Sequence, residues 1–213
     1  MKTIVIADYG IGNILSVVRA FEYHHANVKV TDSPSDIANA CTLVLPGVGA
    51  FGDGMKGLRN KGLIEPILEH CLKGKPFLGI CLGMQMMLDA SEEFETNLGL
   101  GIIHGEVKII PDTGINGTHH KIPHIGWNSL SPSETSNWNG TILDNIEHGA
   151  FVYFVHSFTA VPANTQNRLA DCFYNGRIIS AAIQNNNIYG CQFHPEKSGR
   201  VGLQIIKNFI NLS

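Results

Sequence analysis

Short apolar runs alternate with helix-period stretches through the first part of the chain, and this alternation narrows the possible folds more than any other feature. Residues 3–10 (TIVIADYG) are β-branched and apolar on successive positions, the pattern of a strand buried on both faces of a parallel sheet. In NILSVVRAFEYHH, Ile14, Val17, Val18 and Phe21 then recur at helical spacing. NVKVTD reads as a second strand, and TLVLPGVGAFGDG as a third that ends in a glycine-rich turn. LIEPILEHCLKG reads as a helix with Pro66 near its start and Gly74 closing it. PFLGI is a fourth strand, and residues 82–90 read as a helix. Such a β-α-β-α order predicts an α/β layered fold with helices on both faces of a central, mostly parallel sheet.

From Gly99 onward the pattern changes. GEVKII, FVYFVHSF, RIISAAIQ and IYGCQF are short strands separated by turns, which predicts a mixed or antiparallel part. SGRVGLQIIKNFINL reads as an amphipathic closing helix. With no linker, repeat or low-complexity segment, residues 1–213 are expected to form a single domain.

Composition excludes several function classes. With 44% hydrophobic and 15% charged residues the chain has material for a substantial core. Its formal net charge is −3 and no Lys/Arg run stands out, so a nucleic-acid groove is not expected. No stretch approaches the ~18 apolar residues of a membrane span, and MKTIVIADYG is too short for a secretory core. Five cysteines, an odd number in a chain of this size, suit reduced thiols and a cytoplasmic location.

One cysteine stands apart. Gly79-Ile80-Cys81-Leu82-Gly83 lies where a buried strand gives way to a helix, the form of a nucleophile elbow. The turn is so sharp that neighbours two residues away must lack side chains. An elbow exposes sulfur at the carboxyl edge of the sheet, where ligands of open α/β folds bind. It also sets the sulfur at a helix N-terminus that favours thiolate, and aims the Leu82 N–H at a developing oxyanion. By itself the motif is weak, because a structural cysteine beside two packing glycines reads the same way. It needs a base.

Most of the ten histidines have a plain reading: His24-His25 on a helix face, His119-His120 in a polar turn. No Cys/His set has zinc-ligand spacing, so neither metal nor organic cofactor is expected. His194 differs, because it follows the apolar run IYGCQF and opens HPEKSGR. Pro195 biases His194 toward extended geometry, in which Glu196 points the same way and can hold one ring nitrogen. Base and orienter are what a nucleophile requires. PGVG after the third strand, around Val48 and Gly49, can present backbone N–H groups to the same edge.

Taken together, GICLGMQ, PGVG and HPE resemble the triad-type (class I) glutamine amidotransferases, in which a Cys-His-Glu triad releases ammonia from glutamine for a second active site. The resemblance implies a flavodoxin-like fold, with Cys81, His194 and Glu196 as the triad. DYGIGNILSV, LPGVGAFGDGM, KIPHIGWNSL, YFVHSF and GCQFHPEKSG narrow it to the glutaminase subunits of imidazole glycerol phosphate synthases, over nearly the whole chain. By that resemblance Gln85 and Glu93 hold the α-amino and carboxylate ends of glutamine, helped by backbone around Gly49, Ser157 and Phe158. Leu82 and the Val48 region supply oxyanion donors, and a Val48 peptide turned the wrong way idles the site until a partner binds. Asn13, Trp127, Tyr153 and Lys197 face that partner, a (β/α)8-barrel cyclase of histidine biosynthesis. Ile125 and Phe158 stand where many members carry Met and Tyr; neither touches the triad. Three rivals stay open at this point: an ammonia supplier for amidination of surface-polysaccharide sugars, a small cysteine peptidase on the same elbow, and a catalytically idle scaffold.

Overall fold

Helices and strands alternate through the first half of the computed structural model, which describes residues 3–134 and 136–212. In order come β1 (Thr3–Ala7), α1 (Ile14–Glu22), β2 (Asn27–Thr31), α2 (Pro34–Asn39), β3 (Thr42–Gly47), α3 (Phe51–Asn60), α4 (Ile64–Leu72), β4 (Phe77–Cys81) and α5 (Leu82–Gln85). Shorter strands follow: β5 (Ala90–Ser91), β6 (Asn97–Leu98), β7 (Gly105–Ile109), β8 (His124–Ser129), β9 (Ser131–Pro132), β10 (Phe151–His156) and β11 (Phe158–Pro162). The chain closes with β12 (Arg168–Tyr174), β13 (Arg177–Asn185), β14 (Ile188–Cys191) and α6 (Gly199–Leu212).

The main sheet has eight strands in the order β2-β1-β3-β4-β14-β13-β12-β9. Its first five are parallel neighbours, and the last three add on antiparallel. Alternate residues of one strand feed two separate cores. Ile4, Ile6, Val44, Leu78 and Ile80 pack on one face, and Val5, Ala7, Leu43, Leu45 and Phe77 on the other. Each of these side chains larger than alanine contributes about 1.5–3 kcal/mol by leaving water, so the register of these strands is firmly set. The layered α/β reading of the sequence holds.

Four local expectations change. IYGCQF was expected in the mixed part, but β14 joins the parallel half beside β4, and all four of its residues are buried like those of β3 and β4. The glycine-rich stretch after Gly47 is no long turn: α3 starts at Phe51, and its glycines let it lie close, since a Cβ at Gly57 would sit 2.7 Å from the Tyr9 carbonyl oxygen. The helix expected over 82–90 stops at Gln85. There the N–H groups of Leu100 and Ile102 take the carbonyls of Met86 and Met87 that a longer helix would need. His24 and His25 follow the end of α1 instead of riding on it, and His25 has φ 59°. Sequence patterning gave no sign of α2, capped by the Ser33 hydroxyl on the Asp36 N–H.

Beside the sheet, β8 and β10 form an antiparallel ribbon with Tyr153 opposite Trp127 and Val155 opposite Ile125. One face, with His124, Val152, Phe154 and His156, is buried; the other carries Ile125, Trp127 and Phe151, all more than half exposed. Among the described residues no helix is long and apolar enough to cross a membrane, and no group of three or more His, Cys, Asp or Glu could hold a metal ion.

Candidate active site

β4 ends at Cys81 in a backbone conformation (φ 53°, ψ −108°) that non-glycine residues avoid. Such strain costs of order 1–3 kcal/mol and persists only when neighbours enforce it. Two glycines do so by close approach. A Cβ at Gly79 would lie 2.8 Å from the Gly83 carbonyl carbon, and one at Gly83 would lie 1.8 Å from the Leu45 carbonyl oxygen. Gly79 therefore lets the elbow close on itself, whereas Gly83 lets α5 lie directly on β3.

Sheet order explains how distant residues meet. β14 runs parallel to β4 with Cys191 opposite Ile80, so the chain leaving β14 passes the elbow and reaches His194. His194 is extended (φ −99°, ψ 96°), as its place before Pro195 predicts, but Pro195–Lys197 is a 3-10 turn. Glu196 thus reaches the ring through a tight turn and not through strand alternation. Its Oε1 lies 2.8 Å from His194 Nδ1, and both side chains are 2% exposed. The backbone is pinned as well: His194 N–H donates to the Tyr153 carbonyl at 2.9 Å, and Ser198 Oγ donates to the His194 carbonyl at 2.7 Å.

The other ring nitrogen, Nε2, is buried and makes no protein hydrogen bond, and Cys81 lies close enough to act on the charge of the ring. Burial works against a charged ring, yet Cys81 and Glu196 together outweigh it and raise His194 to about 9. The raised value favours the charged ring near neutral pH. Because α5 is a single turn, its dipole is a weaker aid to a thiolate than the sequence suggested.

A cavity of about 230 Å³ opens on the sulfur and is lined by Val48, Gly49, Leu82, Gln85, Glu93, Pro123, Val155, His156, Ser157 and Phe158. All the residues expected around glutamine or its oxyanion are thus gathered at one place. Glu93 sits at the start of α3, where its Oε2 accepts from the Phe51 N–H at 2.6 Å. Gln85 Nε2 is spent within the protein, donating to the Phe158 carbonyl at 3.1 Å and to Gln192 Oε1 at 3.0 Å. Gln85 is left with only its carbonyl to offer, so both Gln85 and Glu93 are acceptors. That suits an ammonium group and not a carboxylate.

Several neighbours escaped the sequence reading. Gln192, fully buried, donates from Nε2 to the Cys81 sulfur at 3.7 Å. His156 Nδ1 lies 2.7 Å from the Phe158 carbonyl, and its Nε2 lies 3.0 Å from His124 Nδ1. Burial keeps both rings neutral, lowering His124 to about 4 and His156 to about 3. Tyr9 donates its hydroxyl to the Pro46 carbonyl at 2.7 Å, tying the third strand end in place; burial first, then the Cys81 charge, pushes its phenol up. The signal for Gln192 was present, as a lone polar residue inside an apolar run. Nothing local marks Tyr9 or His156, which depend on partners 37 and 32 residues away.

The residues expected to face a partner lie outside the cavity. Asn13 is exposed just before α1, and its side chain does not cap the helix. Trp127 is 55% exposed and packs edge-on against Tyr153, with ring centroids 6.1 Å apart. Lys197 is exposed in the turn that carries Glu196.

Residues 5–212 match the family model described as glutamine amidotransferase class-I. Imidazole glycerol phosphate synthase subunit HisH 1 of Legionella pneumophila (strain Lens) is 58% identical over 213 residues, covering 100% of both chains. Its namesake subunit HisH from Syntrophotalea carbinolica is 46% identical over 97% of this chain and 98% of its own. Among solved structures, that of PurLQS from Thermotoga maritima superposes with a TM-score of 0.72 at 20% identity, covering 99% of this chain and 98% of the other, a likeness of fold.

Proposed function

The chain belongs to the class-I glutamine amidotransferases, and from that premise we propose that Cys81, His194 and Glu196 are the triad with which it hydrolyses glutamine. Its activity is that of the glutaminase subunit of an imidazole glycerol phosphate synthase in histidine biosynthesis, supported by relatives of 43–58% identity with that name. Those relatives favour this client over sugar amidination. The observation that carries the triad is the buried His194 ring, held by Glu196 on Nδ1 and beside Cys81, whose sulfur opens on the cavity.

Chemistry follows from the charges. The Cys81 thiolate attacks the side-chain amide carbon of glutamine, and N–H groups of Leu82 and the Val48–Gly49 turn hold the oxyanion. His194, already protonated, gives its proton to the leaving nitrogen, and ammonia departs as a thioester forms. Once sulfur is acylated, the Cys81 contribution that raised His194 is gone, so burial pushes the ring back toward neutral. The neutral ring then takes a proton from the attacking water, thiolate leaves, and glutamate is released. Glu196 fixes the tautomer in both halves. Gln85 and Glu93, both acceptors, hold the α-ammonium of glutamine, and its carboxylate falls to backbone N–H groups of Gly49, Ser157 and Phe158.

Ammonia delivery requires a covered site. The exposed face of the β8–β10 ribbon, with Trp127 and Tyr153, and the flanking Asn13 and Lys197 form the surface for a (β/α)8-barrel cyclase. The ribbon backbone is bonded directly to the His194 segment, which gives docking a route to the triad. The test is labelling by a glutamine-analogue electrophile, with and without a co-purified cyclase. The expected result is one label on Cys81, glutamine turnover raised by the cyclase, and a loss on the order of 10⁴–10⁶-fold in Cys81→Ala. Label on another residue, or undiminished turnover in Cys81→Ala, overturns the triad.

A further inference from the structure

The side chain of Gln192 lies two residues before His194 and is fully buried against the nucleophile. We infer that Gln192 is a positioning residue for glutamine hydrolysis, whose amide N–H holds the Cys81 sulfur in line with the substrate cavity and ties it to Gln85. The inference rests on the triad reading above.

Which end of the Gln192 amide meets sulfur is fixed by a chain of donors and acceptors. The Phe158 carbonyl is able only to accept, so the group 3.1 Å from it must be Gln85 Nε2. That same nitrogen lies 3.0 Å from one end of the Gln192 amide, which must be Oε1. The remaining Gln192 nitrogen therefore faces sulfur, at 3.7 Å. A buried amide that donates to sulfur favours the thiolate over the thiol. The Gln192 backbone is held independently, its N–H donating to the Ala181 carbonyl at 2.9 Å. The Val155 carbonyl lies 4.0 Å from the sulfur, and His194 and the more remote Tyr9 phenol feel its charge. Of these the Val155 oxygen accepts from a thiol but repels a thiolate, so Gln192 and His194 are the groups that steady the charged form.

Gln192 also joins the nucleophile to substrate. Gln85 offers its remaining carbonyl to the cavity while its nitrogen grips Gln192. Substrate that seats Gln85 thus seats the sulfur.

The test is the rate of iodoacetamide alkylation at Cys81, read on its peptide by mass spectrometry across pH, in the native chain and in Gln192→Met and Gln192→Glu. Gln192→Met removes the donor at nearly constant volume. Its alkylation profile is expected to move to higher pH by about one unit, so that labelling on the acid side of the profile is roughly tenfold slower. The kcat for glutamine is expected to fall on the acid limb of its pH profile and recover as pH rises. Gln192→Glu sets a carboxylate oxygen against sulfur and is expected to move the profile further. A merely structural role lowers rates at every pH without moving the profile; that outcome overturns the inference. If the variants do not fold, the native chain decides: the Gln192 side-chain amide resonances are expected to titrate together with Cys81 and to change on its alkylation. Resonances that ignore the state of Cys81 overturn it. Alkylation is read without turnover, so a failed triad, in which blocked Cys81 leaves glutamine hydrolysis intact, stays distinguishable from a failed Gln192 contact.

Discussion

The parallel strand ends and the β8–β10 ribbon carry the two halves of the proposed function, and they are built in opposite ways. At the strand ends Cys81 and His194 are buried and over-determined: Cys81 is strained, Gly83 touches β3 backbone, and His194 is fixed by Glu196, Tyr153 and Ser198. The ribbon buries one face and leaves the other apolar and open, with Ile125, Trp127 and Phe151 in solvent. Reacting atoms need fixed geometry, which burial between two helix layers supplies. A docking face needs apolar area that stays available until the partner arrives. The contrast teaches that rigidity and exposure are distributed by task, and that β10 joins them, since its Tyr153 carbonyl holds the His194 N–H.

This contrast is broken most severely at Gly83. The methyl of Gly83→Ala would sit 1.8 Å from the Leu45 carbonyl oxygen, a backbone atom that cannot swing aside. The expected cost is about 3 kcal/mol or more, read in calorimetry as a Tm lowered by roughly 6–12 °C. Glutaminase activity is expected to fall with it, because α5 must move.

Trp127→Ala tests the other side. With the ring already half in solvent, the fold is expected to be unchanged, while affinity for the cyclase drops by about 2 kcal/mol, roughly 30-fold in Kd by titration calorimetry. An unchanged affinity places the docking face elsewhere. The smallest effect is expected for Tyr9→Phe, which removes one buried hydrogen bond to the Pro46 carbonyl, about 1 kcal/mol by denaturant unfolding.

The layered fold and the closeness of His194 and Glu196 were legible because each rests on local pattern: continuous burial for β1, β3 and β4, and two residues a single proline apart, although a tight turn and not an extended step joins them. Where the pattern misled, tertiary contact had overridden it. Glycines in α3 read as a turn but serve close packing on Tyr9, and Met86 and Met87 give their carbonyls to a distant segment, which ends α5 early. β14 looked like part of an antiparallel meander because a hairpin leads into it, yet its pairing with β4 decides the site. Gln192 stands out in its apolar run, but the polar chain that joins it to His124 does not. Its hydrogen bonds join residues that only folding brings together, such as Gln85 with Gln192, 107 positions apart.

The account turns on a charge pair, and the ionisation of His194 reports it. Its folded-state value lies above the ordinary one of 6.5, so the stability it contributes is fully present below about 6.5 and is lost as pH rises through about 9. Following the His194 ring by NMR against pH, in the native chain and in Cys81→Ala, measures this directly. The expected midpoint is near 9 in the native chain and clearly lower in Cys81→Ala, where burial acts without the sulfur's opposing charge. A midpoint that is ordinary in the native chain, or the same in both, contradicts the thiolate–imidazolium pair.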